Sequence, residues 1–295
     1  MRQSRLFETV ALIGVGLIGS SLARVIAREQ LAGRLVAYSR RAETRARVRE
    51  LGLVDQVCDT LESCVVDADL VVLCAPVGAN ADIARAIGPH LRPGTIVTDV
   101  GSVKQAVIDA VAPHLPGGVH LVPGHPIAGT EHSGPDAGFA GLFDGRWCVL
   151  TPPPGADPAA VERVAALWRG AGMLVEQLTA EHHDMVLAIT SHIPHLIAFN
   201  IVGTVSDLED LTKKEVIKFA AGGFRDFTRI AASDPVMWRD VFLNNREAVL
   251  EMLGRFTEDL ASLQRAIRWG DGATLEAMFA RTRAIRRGVI DAHQI

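Results

Sequence analysis

Gly14-Val15-Gly16-Leu17-Ile18-Gly19 closes an apolar run, Leu6 to Ile13, and opens a helical pattern, Ser20-Ser21-Leu22-Ala23-Arg24-Val25-Ile26. Strand, GxGxxG and helix in that order form the phosphate-cradling turn of a dinucleotide-binding unit. Gly14 makes the tight turn and Gly16 lets the backbone approach a pyrophosphate. Gly19 lets the helix pack on the strand, and Leu17 and Ile18 begin a helix whose N-terminus faces the phosphates.

The next strand, Leu35 to Tyr38, ends in Ser39-Arg40-Arg41. A site for NAD would carry Asp or Glu here to hold the ribose 2′-hydroxyl. A hydroxyl followed by two guanidinium groups suits a 2′-phosphate, so NADP is the preferred reading. NAD remains the alternative, with Arg40 and Arg41 merely solvating a turn. Asp69 to Val77 reads as a buried parallel strand, and its Ala75-Pro76 exit lies where the nicotinamide-side ribose rests in such folds. Thr95 to Val100 is a further strand. After it, Ser102 and Gln105 have the spacing of a capping box, so Ser102 is read either as an N-cap or as a functional hydroxyl.

Gly118 to Pro123 predicts a short strand that runs into Gly124-His125-Pro126-Ile127-Ala128-Gly129-Thr130-Glu131-His132-Ser133-Gly134. Ligands bind outside the carboxyl ends of strands in open α/β sheets. A histidine there can exchange a proton near neutral pH. Arg146 to Thr151 and Met173 to Gln177 predict two more strands, with a helix over Ala159 to Gly170 between them.

From Thr179 on, helical patterns dominate. Met185 to Ser206 carries no Asp, Glu, Lys or Arg and is long enough to span a bilayer. It also holds Ser191, His192, Pro194, His195 and Asn200, so it reads as a buried helix in the core of a bundle or dimer. Pro194 should kink it. Val249, Leu253, Phe256, Leu260, Leu263 and Ile267 repeat at four-three spacing, an apolar seam on one helix. Together these segments predict that the helical halves of two chains pack into a homodimer. The arginines of the last helix, Ala273 to Val289, read as a solvated face.

Composition narrows the partners. The 295 residues are 48% hydrophobic and 22% charged, with a net charge of −4 and no basic block. Nucleic acid and anionic membrane are therefore unexpected partners. The four cysteines, Cys58, Cys64, Cys74 and Cys148, have neither CxxC nor metal-ligand spacing. No metal site, no disulfide framework and no leader segment are expected, which suggests a cytoplasmic location.

Several motifs in order resemble the prephenate/arogenate (cyclohexadienyl) dehydrogenase family of tyrosine biosynthesis. These are Asp99-Val100-Gly101-Ser102-Val103-Lys104, the His125 stretch, Thr179 to Asp184, Ser191-His192-Ile193-Pro194-His195, Gly222 to Ala231 and Asp234 to Asp240. The likeness covers nearly the whole chain and is similar to the stand-alone, short form of that family. It implies oxidative decarboxylation of prephenate and/or arogenate with NADP or NAD.

The resemblance implies His125 as the base and Ser102 as the group that hydrogen-bonds it, the substrate hydroxyl and the cofactor side. Arg229 becomes the anchor for the ring carboxylate, and His195 lies near the substrate. Glu131 and Asp226 pair with cations and control access, although Asp226 could instead orient Arg229. Trp238 either reaches toward a neighbouring subunit's site or packs in the core. His192 is either a substrate contact or a satisfied core histidine. His132 stands where relatives often carry lysine, which would make the network around Glu131 sensitive to pH. Tyrosine, which resembles the substrate, is a candidate product inhibitor.

The expected fold class is α/β. Residues 1–178 form an N-terminal Rossmann-type, mostly parallel sheet domain, followed by an all-helical substrate and dimerisation domain over residues 179–295. Two other readings of function remain open. One is a different two-domain reductase, of the β-hydroxyacid dehydrogenase or imine reductase type. The other is a non-catalytic NADPH-binding sensor.

Overall fold

The computed structural model describes residues 5–207, 215, 218–219 and 222–291. Its first half is a six-stranded parallel sheet. The strands are β1 (Phe7–Ile13), β2 (Ala32–Tyr38), β3 (Gln56–Val57), β4 (Leu70–Leu73), β5 (Ile96–Asp99) and β6 (His120–Leu121), in the order β3-β2-β1-β4-β5-β6. The chain reverses direction across the sheet between β1 and β4. That crevice is where an open parallel sheet receives its ligand.

Alternation along β1 shows how the core is made. Val10 and Leu12 point to one face and join Leu22 and Ile26 of α1 (Leu17–Glu29). Ala11 and Ile13 point to the other and join Ala84, Ile87, Val107 and Val111. Successive side chains of a strand face opposite ways, so a sheet covered on both sides needs an unbroken apolar run. Phe7 to Ile13 supplies one from Val10 onward.

A second, three-stranded sheet follows: β7 (Gly124–Pro126), β8 (Trp147–Leu150) and β9 (Leu174–Gln177). β7 runs antiparallel to β8, and β8 parallel to β9. Two expectations change here. The predicted strand over Gly118 to Pro123 pairs with β5 only at His120 and Leu121. His125 lies not in a loop but at the centre of β7, opposite Val149. The cause is the switch of sheets at Pro123, where the chain leaves β5 and takes up β8.

Thr179 caps the next helix, its hydroxyl accepting from His182 N at 3.2 Å. The segment Ala180–Ser206 is long and apolar enough to cross a membrane by composition, its most apolar 18-residue window reaching a mean hydropathy of 1.6. Only 28% of its most apolar window is buried within the chain, so it is not the buried core of a single-chain bundle. It is also not one regular helix. A helix over Ala180–Leu187 passes through a five-residue π turn, Ala188–His192, into a helix over Ile193–Ser206. Pro194 has no amide hydrogen to give the preceding turn and its ring crowds the carbonyl four residues back, which accounts for the wider turn.

The chain divides into two compact units, Met1–Arg246 and Glu247–Ile295. The second consists of most of the helix Arg246–Trp269 and the helix Gly272–Asp291. Of the apolar seam, Val249 is buried, while Leu260 and Ile267 are exposed at 47% and 67%. Arg281, Arg283, Arg286 and Arg287 are exposed, as read.

Candidate active site

The glycine turn has the geometry its spacing implies. Gly14 adopts φ +99°, and a Cβ there would lie 2.8 Å from the Cys74 carbonyl. A Cβ on Gly19 would strike the Gly14 carbonyl oxygen at 2.5 Å. Around Gly16 the space is open. No side chain caps the helix that starts at Leu17, so its first amides are available to a phosphate. These features fit a nicotinamide dinucleotide, whose pyrophosphate would lie over Gly16, Leu17 and Ile18.

At the end of β2, the Ser39 hydroxyl accepts from Val15 N at 3.1 Å and is buried. Arg40 and Arg41 are exposed. Arg45 turns back instead, its Nη1 donating to the Ser39 and Arg40 carbonyls at 2.8 and 3.0 Å. The exit from β4 passes Gly14 through Cys74 and the Ala75 amide, and Pro76 follows.

Ser102 is not a cap. The following helix, α5, spans Gln105–Val111 and begins after Lys104, with no cap from its own side chains. Its first amides are taken by a residue eighty positions away. Lys104 N donates to Asp184 Oδ1 at 2.8 Å and Gln105 N to Asp184 Oδ2 at 2.9 Å. A carboxylate outside the helix does the work the capping box was expected to do.

Lys104 is wholly buried. Its Nζ donates to Asp99 Oδ2 and to the Gly124 carbonyl, both at 2.6 Å. Asp99 also accepts from Gly101 N at 2.8 Å and Gly124 N at 3.1 Å. The Ser102 turn and the His125 strand are thus bound to one buried ion pair. Burial pulls the Lys104 pKa below the ordinary lysine value, and Asp99 opposes that pull.

His125 is 8% exposed. Among the described residues its hydrogen-bond partner is not Ser102 but His183, with Nδ1 2.8 Å from His183 Nε2. His183 Nδ1 in turn lies 2.8 Å from Asp184 Oδ1. Burial, then the neighbouring His183, Lys104 and His192, hold the His125 pKa well below that of a free histidine. The ring is therefore neutral at neutral pH and able to accept a proton.

The other candidates gather beside it. Asn245 Nδ2 donates to the Asp184 carbonyl at 2.8 Å and lies 3.1 Å from His192 Nδ1. His192 is buried, and burial lowers its pKa to about 4. Asp184 and the Ser102 backbone pull the other way. His195 stacks on Trp238 with centroids 3.7 Å apart, and His192 meets the same indole edge-on at 6.0 Å.

Trp238 is 6% exposed and packs within its own chain with Val103 and Val241, so here it is a core side chain rather than one reaching outward. Its Nε1 and His192 Nε2 are buried without a well-formed hydrogen bond. Arg229 Nη1 donates to Glu131 Oε2 at 3.1 Å, on the stretch that follows His125, and its charge is felt by His195. Among the described residues Asp226 makes no hydrogen bond or ion pair with Arg229. Its carboxylate accepts from Arg225 Nε at 3.3 Å on an exposed helix, Gly222–Thr228.

Asp99, Lys104, His183, Asp184 and Asn245 were not singled out from sequence as site residues. The first four lie within the quoted motifs and Asn245 lies outside them; the contacts that draw them together, His125 to His183, Lys104 to Asp184 and Asn245 to Asp184, each join residues more than fifty positions apart.

A dinucleotide cradle, a buried neutral histidine and a cluster of polar side chains on the following helices define a two-part NAD(P)-dependent dehydrogenase. Family models agree. The prephenate dehydrogenase nucleotide-binding domain matches residues 22–177, and the prephenate dehydrogenase dimerization domain matches residues 179–281. The chain is 41% identical to a cyclohexadienyl dehydrogenase of Zymomonas mobilis, over 98% of both chains. It superposes with a TM-score of 0.87 on the prephenate dehydrogenase of A. aeolicus, solved with hydroxyphenyl propionate and NAD+, at 33% identity over 96% of this chain and 98% of that one. A Synechocystis arogenate dehydrogenase gives a TM-score of 0.80 at 28% identity, over 95% and 99%. The chain belongs to the prephenate dehydrogenase family.

Proposed function

We propose that this protein oxidatively decarboxylates prephenate, arogenate or both, in the synthesis of tyrosine. The observation that carries the reading is the buried, neutral His125 on β7, in a chain that matches the family along most of its length. Held at the Gly14–Gly19 turn, NAD(P) would supply the hydride acceptor for the ring carbon that bears the 4-hydroxyl. His125 takes the proton of that hydroxyl as the carbon becomes a carbonyl. The bond from the ring to its carboxylate then breaks, and its electron pair enters the ring. Carbon dioxide leaves, the ring becomes aromatic, and the phenolic oxygen recovers the proton from His125.

Arg229 holds a substrate carboxylate by two charge-assisted hydrogen bonds, each worth about 1.5–3 kcal/mol. In its absence Arg229 pairs with Glu131, and both are partly exposed, at 60% and 33%. Exposed pairs are worth about 0–1 kcal/mol, so substrate exchanges for Glu131 at small cost. Ser102, His192 and His195 line the substrate, with Trp238 packed against the His195 ring. Asp226, exposed and paired with Arg225, acts at the rim.

Residues 1–178 serve as the nucleotide domain and residues 179–295 as the substrate and dimerisation part. Exposed Ile201, Val202, Leu260 and Ile267 supply apolar surface for a second copy. NADP is preferred over NAD because no carboxylate follows β2 and two exposed arginines do. Free cysteines suit a cytoplasmic setting, and tyrosine competes as a product analogue. The test is a steady-state assay of both substrates against both cofactors, read as nicotinamide reduction. Activity with neither substrate would reject the reading.

A further inference from the structure

We propose that His183 and Asp184 form a positioning dyad that selects the working tautomer of His125; this rests on His125 being the base of the proposed reaction. The dyad sits on the helix Ala180–Leu187, with His183 58 residues beyond His125, and both members are buried.

The proton positions follow from the chemistry of the chain of groups. The Asp184 carboxylate is an acceptor at both oxygens, Oδ1 from Lys104 N and Oδ2 from Gln105 N. The hydrogen on the 2.8 Å contact to His183 Nδ1 therefore belongs to His183. Burial keeps the His183 ring neutral against the opposing pull of Asp184. A neutral imidazole protonated on Nδ1 presents a lone pair at Nε2. That lone pair faces His125 Nδ1 at 2.8 Å, so His125 carries its hydrogen on Nδ1. His125 Nε2 is left as the lone-pair atom, and it makes no hydrogen bond among the described residues. The base is thereby aimed and primed at one nitrogen. An isolated neutral histidine favours the other tautomer, with hydrogen on Nε2, which could not accept the substrate proton there.

Asp184 is itself immobilised. It caps α5 through two amides, and its carbonyl accepts from Asn245. The anchor of the dyad is thus the anchor of the Ser102 turn, which ties the base and that turn to one carboxylate. When His125 takes the proton, the Nδ1–H to His183 contact strengthens toward a donor that is now cationic, with Asp184 beyond it to stabilise the charge.

The test compares the wild-type protein with His183→Leu and His183→Gln. Gln can accept from His125 Nδ1–H with its carbonyl and donate to Asp184 with its amide; Leu can do neither. Two-dimensional 15N–1H spectra of the histidine rings near pH 7.5, assigned with His125→Asn, report the tautomer without substrate. The wild type should show His125 protonated at Nδ1, His183→Gln should keep that state, and His183→Leu should move the hydrogen to Nε2. In steady state, His183→Leu should lose about 10–10²-fold in kcat with KM changed less than about threefold, and His183→Gln should recover most of the loss.

A wild-type His125 protonated at Nε2 would overturn the proposal without need of any variant. So would a His183→Leu protein that keeps the Nδ1–H tautomer or wild-type kcat. A wild-type protein inactive on both substrates would reject the proposed reaction while leaving the tautomer result intact.

Discussion

Lys104 Nζ lies 2.6 Å from Asp99 Oδ2, with both side chains sealed from solvent. One carboxylate at the end of β5 and one ammonium at the start of α5 together hold the Gly124 backbone, and so the strand that carries His125. Removing one partner of such a pair leaves a buried, uncompensated charge, which costs about 3–5 kcal/mol. Lys104→Met should therefore lower the melting temperature by roughly ten degrees in a chain of this size. A melting curve like that of the wild type would show that the pair is not needed.

His125→Asn keeps a polar group of similar reach but removes the base. Turnover should fall about 10²–10⁴-fold, while the dissociation constant for NAD(P) stays within about twofold. Fluorescence titration of the cofactor separates the two effects, and near-normal turnover would remove His125 from the role.

Arg229→Ala should raise KM about tenfold or more and lower kcat less, since a charge-assisted pair to the substrate is lost. Glu131→Gln should change KM less than about threefold, because the Glu131–Arg229 pair is exposed. An unchanged KM in Arg229→Ala would place the anchor elsewhere.

Stability should fall on acidification before most carboxylates titrate. Burial holds His125, His183, His192 and His195 below the ordinary value, His192 at about 4. Unfolded, each binds its proton near 6.5. The unfolded chain thus holds more protons in the window between, so stability is full above about pH 6.5 and drains as pH falls toward the folded values. His192 alone accounts for roughly 3 kcal/mol across that window. Urea midpoints at pH 7.5 and pH 5 measure it, and equal midpoints would contradict neutral burial.

Ser39→Asp should move the kcat/KM ratio toward NAD by about tenfold or more. A carboxylate there can hold a ribose 2′-hydroxyl and repels a 2′-phosphate. A wild type that already favours NAD strongly would overturn the reading of Ser39, Arg40 and Arg41.

What could be read along the chain follows from how local each signal is. Gly14 and Gly19 are legible because the collisions they avoid lie within a few residues or across one strand pairing. Phe7 to Ile13 is legible because burial on both faces leaves a continuous apolar run. Thr179 is legible because a cap bonds within three residues. Of the two readings of Ser102, the cap fails for the same reason. Its spacing to Gln105 satisfies the local pattern, yet the amides there were taken by Asp184 from another element. Trp238 and Asp226 likewise have local surroundings that do not reveal which neighbours they meet.

Sequence alone determined the dinucleotide fold, the helical second half and the family, and singled out the histidine at 125 as a candidate, since periodicity, turn chemistry and motif order are properties of short stretches. Only the tertiary structure decided that His125 leans on His183 and Asp184, that Lys104 is buried against Asp99, and that Arg229 rests on Glu131. Each of the first and last of those contacts joins residues more than fifty positions apart, and no spacing rule encodes such a pair. Packing brings the groups together, and for the buried histidines and Lys104 loss of solvent then shifts their proton affinity.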